Sequence, residues 1–184
     1  TGVVQSRLSS HPQWMVEDGV TIKALAGFSL TARVLSTKRY RHDGIHADLA
    51  PLDLALGWGP MSDPGLAGKL NVRQSGRWYH YSWTGAPPAD PRMIASHSSN
   101  MHIIPANDTT RAVLLSLEPG DLVSLSGHLV SVQAPGGWRW KSSMSRNDTG
   151  AGACELFRVE YVLRHATSPA PAHPSHPASL PVAG

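Results

Sequence analysis

The stretch 121–133, DLVSLSGHLVSVQ, decides the fold. Val123, Leu125, Gly127 and Leu129 fall on one face of it, with Ser124, Ser126 and His128 between them. That is the two-residue period of a β-strand. Gly127 sits in the middle. A glycine there weakens pairing but lets another backbone approach closely, so it marks a bend or bulge of the kind that curls a sheet. The loop QAPGG (133–137) then leads into GWRWKSS (137–143), which reads as the returning arm of a hairpin.

Working outward, the same period recurs. VTIKALAGFSLTARVLS (20–36) reads as one or two strands broken near Gly27, with Phe28, Leu30, Ala32 and Val34 alternating against Ser29, Thr31 and Arg33. LDLALGWG (52–59) alternates Leu52, Leu54 and Leu56 against Asp53 and Ala55. GRWYHYSWTG (76–85) sets Trp78, His80 and Ser82 against Tyr79, Tyr81 and Trp83. In CELFRVEYVLR (154–164), Glu155, Phe157, Val159 and Tyr161 make the more apolar face. Helix signals are few. PRMIASHS opens with Asp90 as cap and Pro91 at the first helical position. NDTTRAVLLSLEPG is capped by Asn107 or Asp108 and stopped by Pro119-Gly120. Six or seven strands with one or two short helices predict a mainly β domain: a small, curled antiparallel sheet or barrel close to the OB type.

The chain has 184 residues, 41% of them hydrophobic, enough for one domain with a sizeable core. Residues 1–18 form an N-terminal extension and 19–165 the β-rich domain. The tail 166–184, rich in Pro, Ala, Ser and His, buries too little apolar area to offset its ordering entropy and is expected to be disordered. Net charge is +3 and the basic residues are scattered, whereas nucleic-acid binders concentrate them in a stripe. With a single cysteine there is no intrachain disulfide and no multi-cysteine zinc site. No run of 18 apolar residues occurs, so this chain is not expected to span a membrane. The start at Thr1 rather than Met leads to the expectation that something was removed upstream: a tag, a signal peptide or a membrane anchor.

Three groups of residues carry candidate chemistry. RMIASHSSNMHIIPAN (92–107) holds His97 and His102, five apart, a spacing that suits neither one helix face nor one strand face. RHDGIHAD adds His42 and His46 with Asp43 and Asp48, but Gly44 argues against a helix that would align them. No convergent ligand set emerges, so no metal and no cofactor is expected. Cys154 follows the small residues of TGAGA and could act as a nucleophile, with His97 or His102 as base and Asn100 as orienting group. Against that, free cysteines are mostly core residues and no cysteine-hydrolase signature is present. DTGA (148–151) matches an aspartic-protease turn in letters only: polar residues precede it and no second copy exists. The third group is aromatic. Trp58 in the rigid loop GWGPMSDPG reads as exposed, and with Trp78, Trp138, Trp140 and Arg139 it could form a ligand-binding surface.

Taken together, LAPLDLALGWGPMSDP, GRWYHYSW, SHSSNMHIIPA, PGDLVSLSGHLV, GWRWKSS and DTGAGACE resemble a group of uncharacterised proteobacterial proteins of about this size, over roughly residues 20–163. That resemblance implies an N-terminal anchor or signal and a place in the cell envelope or periplasm, and it implies no activity. The leading expectation is a non-enzymatic β-barrel module that binds a protein, peptide or glycan through a Trp/His-rich surface, with SHSSNMHIIPAN as a structured crossover plugging the barrel end. The alternatives are a cysteine-dependent hydrolase or transferase and a single-stranded nucleic-acid binder.

Overall fold

The computed structural model describes residues 2–145 and 154–166. The DTGA turn and all but the first residue of the tail lie outside them. Ten strands and four short helices follow in order: β1 (Val3–Ser6), β2 (Gln13–Met15), β3 (Thr21–Arg39), α1 (Ile45–Leu49), β4 (Leu52–Gly57), α2 (Pro64–Ala67), β5 (Asn71–Ser75), β6 (Trp78–Ser82), α3 (Pro91–Ser96), β7 (Ser98–Pro105), α4 (Asp108–Leu115), β8 (Leu122–Gln133), β9 (Arg139–Lys141) and β10 (Glu155–Arg164). The domain is mainly β, as the alternation predicts, and the sheet is strongly curled.

Five strands form a ring. Neighbours run β3, β4, β7, β10, β8, and β8 pairs back onto β3. The expected all-antiparallel sheet needs one correction, because β10 lies parallel to β7. A parallel pair needs a long connection, and α4 with β8 supplies it. The long strand β3 runs unbroken through Gly27. It turns instead at register shifts between Ala24 and Ala26 and between Val34 and Ser36, opposite β8 and β4. Gly127 plays the part expected of it: opposite it, β10 shifts register between Val159 and Tyr161. That shift flips the face of everything beyond it. Tyr161 therefore points to solvent, 74% exposed, and not inward with Phe157 and Val159 as strict alternation predicts.

The barrel interior takes Phe28, Leu30, Ala32 and Val34 from β3, Leu52, Leu54 and Leu56 from β4, Met101 and Ile103 from β7, and Phe157 from β10, which meets Phe28 edge to face at 5.0 Å. Each large apolar side chain so buried contributes about 1.5–3 kcal/mol. Trp58 belongs to this core, so the loop that carries it is not an exposed aromatic surface. The bulge at Ala24–Ala26 gives β3 a second buried face. Ile22 and Ala24 pair with Val132 and Val130, and Ile22, Val130 and Val132 with Val20, Ala50, Ile104 and Leu156 make a smaller core on the outside of the barrel. Trp14, Ile45, Leu49, Trp138 and Trp140 cover it.

From Ser98 to Pro105 the stretch SHSSNMHIIPAN is a barrel strand, β7, and not a crossover. Its polar residues hide the strand because both faces are buried. Met101 and Ile103 point into the barrel, while Ser98 and Asn100 face outward beneath the β5–β6 hairpin, which forms a separate two-stranded sheet, and His102 faces outward against Asp53 and Trp140. Helices α3 and α4 sit where the sequence places them, capped by Asp90 and Asn107. Helices α1 and α2 were not expected. Gly44, read as a helix breaker, sits just outside α1 with φ 55 and leads into it.

Candidate functional site

The densest polar arrangement lies on the outer face of β4 and β7. Asp53 and His102 are cross-strand partners. Asp53 is fully buried, and its carboxylate accepts hydrogen bonds from Arg77 Nη1 at 2.9 Å and Asn100 Nδ2 at 3.1 Å, with His102 Nδ1 at 2.9 Å. A buried carboxylate is tolerated only with such partners. Arg77 comes from the two-residue turn of the β5–β6 hairpin, where Gly76 and Arg77 both have positive φ, 56 and 68. Its guanidinium also donates to the Ala50 carbonyl and to Asp43, and lies 3.8 Å from the centre of the Tyr40 ring. Around it, Gln74 donates to Asn100 and the Tyr79 hydroxyl meets Ser98. Burial is the main cause that pushes the Tyr79 phenol up to about 12.

A second group is aromatic. Trp138 and Trp140 meet edge to face, His46 of α1 packs against both at 5.0 and 4.8 Å, and His102 lies 5.2 Å from Trp140. Arg139 points the other way, to solvent.

Beside this group opens a groove of about 1000 Å³. Val20, Ile22 and Ile104 of the outer core floor it, α1 walls it, and Trp14, Met15 and Val16 form a lip. Met15 is 79% exposed, an unusual position for a methionine. Arg158 reaches the lip, its guanidinium 3.8 Å from the Trp14 ring centre and hydrogen-bonded to Glu160. Desolvation by burial lowers its pKa. Three arginines, Arg41, Arg111 and Arg158, line the groove with four carboxylates, Glu17, Asp18, Asp48 and Asp108, so it carries no excess positive field.

The sequence-derived candidates fall in different places. Asn100 and His102 share the Asp53 cluster. Asp53, and not Asn100, is the hydrogen-bond partner that fixes His102. His97 ends α3, with Nδ1 near the Met93 carbonyl and the Ser96 hydroxyl. Cys154 is half-buried just before β10 and close enough to raise the Tyr79 pKa. Trp138 and Trp140 come together, whereas Trp78 lies in the β5–β6 hairpin, 44% exposed. Among the described residues, no three of His, Cys, Asp and Glu converge to hold a metal, and no helix is long and apolar enough to cross a membrane.

Sequence reasoning missed Asp53, Arg77, Trp14 and Tyr40. For Asp53 a signal existed: it is the one charge in LDLAL, a strand otherwise wholly apolar. No family model matches the chain, and neither a curated protein nor a solved structure shows significant similarity to it.

Proposed function

We propose that this chain is a non-enzymatic binding module on an OB-type barrel, and that its groove takes an extended peptide segment of a protein partner. The observation that carries this is the groove itself: an apolar floor, an exposed apolar lip and balanced charge. Its volume is at the upper end of the usual range for a ligand site. The OB assignment is supported by the ring order, first–second–third–fifth–fourth strand, with the third and fifth parallel and a helix between the third and fourth. OB-type barrels bind on the second and third strands and on the loops after the first and fourth. Here the loop after the first ring strand forms α1, the groove wall, and the Trp138–Trp140 pair from the loop after the fourth braces it through His46. An envelope location, implied by the resemblance, belongs to the same proposal and is checked by cell fractionation.

The test is selection of peptides on the intact chain from a random library, followed by affinity on variants. Met15→Glu and Val16→Glu change exposed lip residues and should leave the fold intact while weakening the selected peptides at least about 10-fold, a loss of about 1.4 kcal/mol. Cys154→Ser should bind them as the parent does. Equal binding by the lip variants, or failure of Cys154→Ser alone, would sink the reading, the second in favour of cysteine chemistry.

A further inference from the structure

The surroundings of Arg77 are those of a ligand pocket. Two carboxylates, Asp53 and Asp43, a backbone carbonyl at Ala50 and the face of Tyr40 hold one guanidinium, with Trp140 5.6 Å away and His102 Nδ1 at the same Asp53 oxygen, Oδ1. Carboxylates in the guanidinium plane and an aromatic face above it are the chemistry by which arginine side chains are recognised. The segment that delivers Arg77 is held to the barrel by polar contacts and has no fully buried residue of its own. Its two strands, β5 and β6, form their own sheet, off the barrel. A two-stranded hairpin is marginal on its own. Polar contacts tether it to the barrel: Arg77 to Asp53 and Asp43, Gln74 to Asn100, Tyr79 to Ser98. Arg77 also adopts a left-handed backbone at a turn position where glycine would be unstrained.

We propose that this is an arginine-recognition pocket occupied in cis, and that an arginine side chain of a protein partner enters it when the β5–β6 hairpin lifts. It is a second site, which shares Tyr40 with the groove. The tethered Arg77 competes at an effective concentration in the millimolar range, so a partner has to displace it. Lifting the hairpin uncovers Asp53, Asn100 and Ser98, on the second and third strands of the ring.

The experiment titrates full-length Arg77→Met with N-acetylarginine amide, N-acetyllysine amide and N-acetylcitrulline amide, reading melting temperature and calorimetric binding. The arginine amide should bind saturably and raise the melting temperature. The lysine amide should bind at least about 10-fold more weakly, lacking the fork geometry. The citrulline amide should not bind. The parent chain should bind the arginine amide at least about 10-fold more weakly than Arg77→Met, because its own side chain holds the pocket. Adding Asp53→Asn to the variant should abolish binding. Equal response to the three amides, or equal affinity in parent and variant, overturns the proposal. Where Arg77→Met does not fold, the parent carries the test: arginine amide in excess must speed amide hydrogen exchange over residues 71–82 relative to lysine amide, and no difference overturns it.

Discussion

The backbone of Gly127 lies so close to the carbonyl oxygen of Arg158 that a β-carbon at position 127 would overlap it. This is where β10 slips register against β8. The obstacle is backbone, which no rotamer change removes. Gly127→Ala is therefore expected to cost more than about 3 kcal/mol, among the larger single-site effects. Gly136→Ala gives the contrast. Its φ is 83 but nothing stands within 4 Å of the added carbon, so the cost is the left-handed backbone alone, about 1 kcal/mol. Denaturant midpoints of the two variants settle the comparison, and similar losses would mean that the barrel tolerates a shift at its bulge.

Asp53 and Asp43 both bond Arg77 at 2.9 Å, yet they should differ in energy. The Asp53 side chain is fully buried, and replacing it with Asn leaves the largely buried Arg77 with only the half-exposed Asp43 to balance its charge, at a cost of about 3 kcal/mol. The Asp43 side chain is 43% exposed, and water and salt screen its pair, so Asp43→Asn should cost less than about 1 kcal/mol. Urea unfolding of both variants at neutral pH measures this directly. Equal losses would contradict the ranking.

These residues also show what the sequence could and could not disclose. Strands with one face in the core and the other partly exposed announce themselves by alternation: Phe28 to Val34 and Val123 to Leu129 are buried where their period puts them. The barrel form follows from many short strands and a mid-strand glycine. Strand β7 fails the same test because its polar face is covered by a hairpin from elsewhere in the chain, so Asn100 is as buried as Met101. Its parallel pairing with β10 leaves no local mark at all. The Asp53–Arg77 contact spans 24 positions and depends on where the hairpin lands. Trp58 misleads because a Gly- and Pro-rich loop reads as surface, whereas this one folds into the core. The groove was invisible because its floor exists only once the bulge in β3 has turned Ile22 outward.

Tyr79 gives a prediction in pH. Burial holds its phenol neutral and raises it from 10.0 to about 12. The folded state thus keeps a proton that the unfolded state releases first. The stability this contributes is complete below pH 10 and is lost as pH rises through 12, about 2 kcal/mol over that span. Tyr79→Phe removes the titrating group together with its 3.1 Å contact to Ser98. It should be less stable than the parent at pH 8 by about 1 kcal/mol, and the gap should close or reverse by pH 11. Unfolding at the two pH values measures it. A gap independent of pH would place the Tyr79 hydroxyl in contact with solvent.

The last prediction separates a peptide ligand from a nucleic acid. A chain that neutralises six to ten phosphates loses about 10³-fold or more in affinity between roughly 50 and 200 mM salt, because binding releases condensed counterions. The groove sets three arginines against four carboxylates, and Arg158 is already paired with Glu160. Such a lining has no net cation to release counterions from a polyanion. Peptides selected on this surface should change affinity by less than about threefold over the same salt range, because exposed ion pairs contribute little energy that salt could remove. A single-stranded oligonucleotide should show no saturable binding there. Steep salt dependence, with an oligonucleotide competing against the selected peptides, would move the ligand surface to the scattered arginines and reverse the reading of the groove.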